Sequence, residues 1–320
     1  MKKKITLVLP YYNEEINLPI LYGRLREITT PLPYDFEFLF INDGSTDGST
    51  DFVLKQAGEN SDICLLELSR NFGHQTAVYA GLQHANGEAA IIMDTDLQDR
   101  PEVIRDFIQK WEEGAQVVYA IRKKRKENPI KRFLFYMFYK ILNGLSNIPI
   151  PAEAGMFSLI DRQVVNLLAN LPERNRFIPG LRAWVGFNQV GIPVERDERG
   201  DKIPRVSFIQ LVRLATDAII SFSWIPLRVS TILGILAAFI SITGTCVVLY
   251  KKFISLEAIP GWTSTLLSIF FFGAVQLIIF GIIGEYLGRI YEEVKRRPPY
   301  VVRKVIGRSR EETLLSPNDK

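Results

Sequence analysis

The stretch Ala89-Ala90-Ile91-Ile92-Met93-Asp94-Thr95-Asp96-Leu97-Gln98-Asp99 passes from an apolar run directly into mostly polar residues. A short apolar run bounded in this way is typical of a buried strand, so the pattern predicts a strand over Ala89–Met93. Ligands of parallel α/β sheets bind beyond the carboxyl ends of the strands. The polar residues that follow Met93 are therefore predicted to form part of a binding site.

The alternation of strand and helix patterns extends to both sides of this stretch. Strands are predicted at Ile5–Leu9, Phe36–Ile41, Ile63–Leu68, Ala89–Met93 and Gln116–Ala120, and helices from about Glu14, at Ser49–Gly58, at Gln75–Ala85 and from Pro101. Such alternation predicts a Rossmann-like α/β domain with a largely parallel sheet covered by helices.

Asp94 and Asp96 are spaced to point the same way just past a strand. Their carboxylates, with the side-chain carbonyl of Gln98, offer the hard oxygen ligands that Mg²⁺ or Mn²⁺ prefers. The alternative is that the aspartates only end the strand and that Asp99 caps the helix near Pro101. Asp43, after the second strand, is also open to a simpler interpretation, since Asp-Gly-Ser is typical of a β-turn.

Two long segments without charged residues, Val229–Tyr250 and Ala258–Gly284, each exceed the roughly 20 residues needed to span a bilayer. Buried core helices are the alternative. The apolar run after Lys2-Lys3-Lys4 stops at Pro10, which is too short for a signal peptide. Basic residues near the two spans place both termini in the cytoplasm: Arg205, Arg213, Arg228, Arg289, Lys295, Arg296, Arg297, Arg303 and Lys304.

The composition excludes several classes of protein. A net charge of +4 is mild, and its position near the spans suits anionic lipid head groups rather than nucleic acid. Cys64 and Cys246 cannot form a disulfide framework or a zinc site. The chain lacks a dinucleotide fingerprint and a phosphate-binding Gly-x-x-x-x-Gly-Lys loop, which disfavours NAD and ATP.

Four ordered motifs carry a resemblance to a known family. Pro10–Glu15 (PYYNEE), Asn42–Asp47 (NDGSTD), Ser69–Gln75 (SRNFGHQ) and Met93–Asp99 (MDTDLQD) resemble the successive signatures of family 2 glycosyltransferases with a GT-A fold. More narrowly, the chain resembles the polyprenyl-phosphate glycosyltransferases, the group that contains dolichyl-phosphate mannose synthase and bactoprenol glucosyltransferase. The segments 222–228 (FSWIPLR) and 284–291 (GEYLGRIY) match the bactoprenol branch.

The resemblance implies a division of the chain. Residues 1–204 form the GT-A catalytic domain, 205–226 an interfacial amphipathic helix, 227–288 two transmembrane helices, and 289–320 a cytoplasmic tail. Lys131–Leu145, aromatic and basic, is a second candidate for an interfacial helix, although either segment could instead be an ordinary core helix.

The resemblance also implies roles for single residues in the donor site. Asp43 hydrogen-bonds the uracil, Pro10 and Tyr12 shape the base pocket, and Glu14 or Glu15 lies near the ribose. Asp94, Asp96 and Gln98 hold the metal and the diphosphate. Further residues are assigned to the nucleotide sugar: Arg70, and in a charged loop that closes over the donor phosphates Arg199, Lys202 and Arg205.

Arg122 and Arg132 are predicted to bind the phosphate of the acceptor, because guanidinium groups pair well with phosphate. Surface charge is the alternative for each basic residue.

Two departures from the family pattern stand out. Asn42 replaces a frequent Asp, and Met156 stands at a position that often carries Asp. His74 lies in the third motif, where a hydrogen-bonding role near the donor and simple packing both remain open.

The resulting hypothesis is an inverting transfer of glucose from UDP-glucose to undecaprenyl phosphate by a multi-pass protein of the inner (plasma) membrane. Alternatives are the same chemistry with UDP-GlcNAc or GDP-mannose, or a non-catalytic scaffold that binds nucleotide sugar. A processive synthase is disfavoured, because Arg182-Ala183-Trp184 lacks the Gln-x-x-Arg-Trp pattern. A homo-oligomer is expected, with a tetramer as one candidate, and the strand-like segment Pro298–Ile306 as a place where subunits could pair.

Overall fold

The computed structural model describes residues 2–122, 154–174, 176–195, 225–253 and 261–307. The described residues fall into two compact units. One holds all those up to 195 together with 297–307, and the other holds 225–253 and 261–296.

The first unit is built on one sheet of eight strands in the order β7-β5-β6-β4-β1-β2-β3-β8. The strands are β1 Lys4–Tyr11, β2 Asp35–Asn42, β3 Ile63–Leu68, β4 Ala89–Ile92, β5 Val117–Arg122, β6 Ala154–Asp161, β7 Gln189–Val194 and β8 Val302–Ile306. β1 to β4 pair in parallel, as does β5 with β7, whereas β6 and β8 run antiparallel to their neighbours. The prediction of a parallel α/β sheet is confirmed for β1 to β4, and the antiparallel strands β6 and β8 make the whole sheet mixed.

Helices follow β1 to β4 and β6, and they cover both faces of the sheet. They are α1 Asn17–Thr29, α2 Ser49–Glu59, α3 His74–His84, α4 Ile104–Glu112 after a 3₁₀ turn at Pro101–Val103, α5 Arg162–Asn170 and α6 Ile178–Trp184. The N-cap position of the 3₁₀ turn is Arg100 rather than Asp99, and Arg100 makes no side-chain capping bond.

The centre of β1, Leu7–Leu9, shows why a central strand carries consecutive apolar residues. Leu7 and Leu9 belong to the core cluster that also contains Leu21 of α1, while Val8 points to the opposite face, beneath α3. A Cβ added to Gly81 of α3 would lie 2.4 Å from Val8 Cγ1, so α3 packs close against the sheet. Burial on both faces favours a continuous apolar run over alternation, and each such side chain contributes about 1.5–3 kcal/mol.

The second unit contains two long helices, α7 Ile225–Phe253 and α8 Trp262–Val294. Both are long and apolar enough to cross a membrane, over Leu227–Gly244 and Ser268–Val294, and almost none of these residues is buried in the isolated chain. The predicted spans therefore fall on helices. α8 extends beyond the boundary predicted at residue 288, and β8, in the predicted tail 289–320, joins the sheet of the first unit.

Both predicted interfacial helices, at Lys131–Leu145 and 205–226, lie outside the described residues. The same is true of Arg132, Arg199, Lys202 and Arg205.

Candidate active site

The centre of the sheet brings three loops together. β1 lies between β4 and β2 and is parallel to both, with Val8 opposite Ile92 and Tyr11 opposite Asn42. The carboxyl ends of these three strands therefore meet at one edge of the sheet. A cavity of about 300 Å³ opens there, lined by Pro10, Tyr11, Tyr12, Glu14, Asp43, Asn71, Gly73, His74, Ala77, Asp94, Thr95 and Asp96.

Asp43 is buried at the floor of this cavity, with 3% of its surface exposed. Its two carboxylate oxygens accept hydrogen bonds from the backbone N–H groups of Phe72, at 2.7 Å, and Gly73, at 3.0 Å. Burial raises the pKa of Asp43 above its ordinary value, and these two N–H groups offset part of the rise. Asp43 thus fastens the loop between β3 and α3, residues 69–73, to the end of β2, and it does more than occupy a turn.

The turn at this point is made by Asn42. Its side-chain oxygen accepts from the N–H of Ser45 at 2.7 Å, and its amide donates to Thr50 Oγ1 at 2.9 Å. An amide can donate and accept at once, which a carboxylate cannot. The departure from the frequent Asp at position 42 is therefore compatible with the local hydrogen bonds.

Gly44 allows the two loops to approach. Its φ is +76°, and a Cβ there would lie 2.6 Å from the backbone nitrogen of Asn71 and 2.7 Å from the carbonyl carbon of Arg70. No side chain fits between these two backbones.

We expect Gly44→Ala to lower the free energy of unfolding by about 2–4 kcal/mol, the sum of a left-handed backbone cost and a steric clash. Thermal unfolding of the purified protein measures the change. The control is Gly58→Ala in α2, where a Cβ meets nothing within 4 Å. That exchange should stabilise the helix by about 0.5–1 kcal/mol. Equal melting temperatures for the two variants would contradict the close approach of the loops.

His74 and Asp94 form a pair across the cavity. His74 Nε2 lies 2.8 Å from Asp94 Oδ1, which supports the hydrogen-bonding interpretation of His74 over simple packing. Partial burial alone would lower the pKa of His74. The hydrogen bond to Asp94 and the negative charges of Asp94, Asp96 and Asp43 outweigh burial, and the pKa is raised above its ordinary value.

The segment after β4 is held by short-range bonds. Thr95 Oγ1 donates to the carbonyl of Pro10 at 3.1 Å, and the N–H of Gln98 donates to Asp96 Oδ1 at 3.2 Å. Leu97 between them has a φ of +60°, a conformation that turns the chain sharply. Asp94 and Asp96 line the cavity, whereas Gln98 is not among its lining residues.

The acidic residues fit a divalent cation that is shared with a ligand. Among the described residues, no three His, Cys, Asp or Glu side chains converge into a complete metal site. Mg²⁺ is usually held by one or two carboxylates together with substrate phosphates, rather than by a cage made only of protein. Asp94 and Asp96 match the carboxylate part of that donor set.

The other predicted site residues divide into three groups. Pro10, Tyr12 and Glu14 line the cavity, and Glu14 Oε2 accepts from the amide of Asn17 at 2.5 Å. Arg70 is exposed and stacks over the ring of Phe72, 4.3 Å from its centroid, and it does not line the cavity. Arg122 is the last residue of β5, and nothing is described of its side chain.

Sequence reasoning did not single out Asn71, Gly73 and Thr95 as cavity residues, although the motif Ser69–Gln75 contains two of them. Met156 lies buried at the start of β6, where its sulfur accepts from Gln75 Nε2 at 3.7 Å. The thioether side chain of Met156 cannot take up a proton and so cannot act as a general base.

A larger cavity, of about 720 Å³, lies at the opposite edge of the sheet. Its charges are largely paired with one another, as Arg26 with Asp62 and Lys4 with Glu37 at 3.4 Å. The smaller cavity is the candidate active site, because it stands at the carboxyl ends of the parallel strands and gathers three aspartates.

Comparison with known proteins agrees with this geometry. The family model described as glycosyl transferase family 2 matches residues 6–168, the part of the chain that contains the cavity. The chain belongs to glycosyl transferase family 2. It therefore has the GT-A fold of that family and is a glycosyltransferase.

Relatives of this family 2 glycosyltransferase cover nearly its whole length. Glycosyltransferase YkcC of Bacillus subtilis is 40% identical over 303 residues, which cover 94% of each chain. The SfII prophage-derived bactoprenol glucosyl transferase of Shigella flexneri is 41% identical over 302 residues, 94% of this chain and 98% of the relative. A prophage bactoprenol glucosyl transferase homolog of Escherichia coli K12 is 39% identical over 303 residues, 94% and 99% of the two chains.

Among solved structures, the mannosyltransferase PcManGT from Pyrobaculum calidifontis, in complex with GDP-Man and Mn²⁺, is 16% identical with a TM-score of 0.46. It covers 90% of this chain and 88% of its own.

Proposed function

We propose that the protein transfers glucose from UDP-glucose to undecaprenyl phosphate at the cytoplasmic face of the inner (plasma) membrane, with inversion at the anomeric carbon. The observation that carries the proposal is the cavity in which Asp43, Asp94 and Asp96 meet at the carboxyl ends of β2 and β4. The relatives named as bactoprenol glucosyl transferases support glucose and a polyprenyl phosphate as the substrates.

The donor would occupy this cavity with its base beside Pro10, Tyr12 and Asp43 and its diphosphate beside Asp94 and Asp96. A carboxylate that already accepts two N–H groups has lone pairs left for a further donor, such as the uracil N–H. A bound Mg²⁺ or Mn²⁺ supplies neutralisation of the charge that develops on the departing diphosphate. Asp94 and Asp96 would hold that ion, and His74 keeps Asp94 in place through their hydrogen bond at 2.8 Å.

In the reaction, an oxygen of the lipid phosphate forms a bond to C1 of glucose while the bond from C1 to the UDP oxygen breaks. A phosphate monoester has a second pKa near 6 and is largely dianionic at pH 7. The dianion attacks without losing a proton, and UDP leaves with the displaced electron pair, so atoms and charge balance. This step needs no general base, which is consistent with a methionine at position 156.

The acceptor would be held by Arg122 and Arg132, through charge-assisted bonds to its phosphate. α7 and α8 would anchor the enzyme where such a lipid resides, since both are long and apolar enough to span a bilayer. We further propose that both termini are cytoplasmic and that the protein forms a homo-oligomer.

A donor panel tests the proposal. Purified full-length protein is incubated with undecaprenyl phosphate, Mn²⁺ or Mg²⁺, and in turn UDP-glucose, UDP-GlcNAc and GDP-mannose, and the lipid product is identified by mass spectrometry. We expect a hexosyl lipid phosphate with UDP-glucose, and UDP release only when lipid phosphate and metal are both present.

Each other outcome has a defined meaning. Product with another donor alone would reassign the sugar while keeping the chemistry. Binding of UDP without any product from the panel would identify a scaffold and overturn the proposal of an enzyme with these substrates.

A further inference from the structure

The chain returns from the second long helix to the sheet of the first unit. Helix α8 ends at Val294, and residues 300–306, here called the returning segment, contain β8. β8 pairs antiparallel with β3 of the same chain, with Leu65 opposite Ile306 and Glu67 opposite Lys304. The strand-like segment predicted after the last span therefore completes this chain's own sheet.

The returning segment engages the residue at which β3 ends. The N–H of Ser69 donates to the carbonyl of Val301 at 2.8 Å, and the carbonyl of Ser69 accepts from Arg303 Nη2 at 3.0 Å. Arg303 Nη1 also donates to Glu67 Oε1 at 3.2 Å. Both backbone groups of Ser69 are thus used by this segment, and Ser69 is the first residue of the β3–α3 loop.

The same segment holds the helix that follows the loop. Tyr300 is 7% exposed, and its hydroxyl donates to Gln83 Oε1 at 2.6 Å. Gln83 Nε2 in turn donates to the hydroxyl of Tyr79 at 2.8 Å, and the rings of Tyr79 and Tyr300 meet edge to face. Gln83 and Tyr79 both belong to α3, so the returning segment touches the elements on both sides of the β3–α3 loop.

That loop is part of the candidate donor site. Its Phe72 and Gly73 provide the two N–H groups bound to Asp43, and its Asn71 and Gly73 line the cavity. The position of these groups relative to Asp43 depends on where β3 ends and where α3 begins. The returning segment is bonded to β3 and α3 alike.

We propose that the returning segment positions the β3–α3 loop for a nucleoside diphosphate, with Arg303 as the positioning residue. The inference rests on the proposed function, because it takes the cavity to be the donor site. Arg303 contacts no ligand itself and acts through Ser69. Its side chain is 62% exposed, so its ion pair with Glu67 adds little to global stability. Removal of the Arg303 side chain is therefore expected to weaken ligand affinity and to leave the melting temperature nearly unchanged.

The test compares Arg303→Ala with Lys304→Ala in the full-length protein. Lys304 is an exposed neighbour in the same strand and the substitution removes the same charge, but among the described residues its side chain has no hydrogen-bond partner. We expect Arg303→Ala to raise the Kd of UDP, measured by calorimetry with Mn²⁺, about three- to tenfold, as for the loss of one partly screened charged hydrogen bond. Lys304→Ala should leave it unchanged.

Two further readouts separate positioning from a general structural role. Arg303→Ala should raise KM for the donor and leave both kcat and KM for the lipid acceptor unaltered. Amide exchange at Phe72 and Gly73 should accelerate in Arg303→Ala alone. Arg303→Lys, which retains a donor within reach of Ser69 or Glu67, should restore part of the affinity.

The proposal is overturned if Arg303→Ala and Lys304→Ala have the same UDP affinity and the same exchange at Phe72 and Gly73, or if Arg303→Ala simply melts earlier with all parameters lowered together. Should the wild-type protein bind no UDP, the proposed function fails. The exchange rates of Phe72 and Gly73 would still decide whether the segment fixes the loop.

Discussion

Replacement of Asp96 by alanine is expected to lower kcat/KM for sugar transfer about 10³-fold, equivalent to roughly 4 kcal/mol of transition-state stabilisation. Asp96 lines the cavity and its carboxylate accepts from the N–H of Gln98, which fixes its orientation at the turn through Leu97. Without that carboxylate the cavity retains only Asp94 as a cation ligand on this segment, and the charge on departing UDP is left poorly compensated.

The measurement is UDP release with saturating undecaprenyl phosphate and variable UDP-glucose. Asp106→Ala, an exposed aspartate of α4, serves as the control and should retain wild-type activity. Excess EDTA should abolish turnover of the wild-type enzyme, and added Mn²⁺ or Mg²⁺ should restore it. Undiminished turnover of Asp96→Ala would rule out the assigned role of this carboxylate.

Replacement of Asp43 by asparagine is expected to weaken UDP binding about 100-fold. Each of its oxygens accepts a backbone N–H, from Phe72 and from Gly73. An asparagine would turn an NH₂ group towards one of these donors, and a hydrogen bond to a charged group contributes about 1.5–3 kcal/mol. The β3–α3 loop would be released and the contact proposed for uracil lost together.

Calorimetry with UDP and Mn²⁺ provides the measurement. Asp35→Asn provides the control, since Asp35 is exposed at the start of β2, the end of the strand opposite to Asp43. The control should bind UDP like the wild type. If Asp43→Asn bound UDP with wild-type affinity, the base would have to lie elsewhere.

How much the sequence revealed depended on how local each pattern was. The strands β1 to β4 are buried on both faces and each is followed by its own helix, so apolar runs and helical periodicity placed them within a few residues. The parallel core and the polar carboxyl ends were predicted for the same reason. Asp43, Asp94 and Asp96 stand directly at those ends, which is why they could be proposed from spacing and motif alone.

The parts that sequence missed are held by distant contacts. β6 lies between β4 and β5, and its Ser158 pairs with Ile92 of β4, which stands 66 positions earlier in the chain. No local pattern reveals such an antiparallel insertion. The bonds from Asp43 to Phe72 and Gly73 span 29 and 30 residues. Spacing indicated a turn at Asp43, whereas tertiary structure gave its carboxylate a partner loop.

The position of β8 also has a consequence for how the chain is made. Glu67 of β3 is bonded to Arg303, which is synthesised 236 residues later, so β3 remains an uncovered edge strand until β8 has been made. At about 5–20 residues per second, roughly 10–50 s of synthesis pass in which β3 is an open edge, the type of surface that invites pairing with another chain. Both long apolar helices leave the ribosome within that interval. The sheet is therefore completed last, which predicts that nascent chains halted before residue 300 are more prone to aggregation than the finished enzyme.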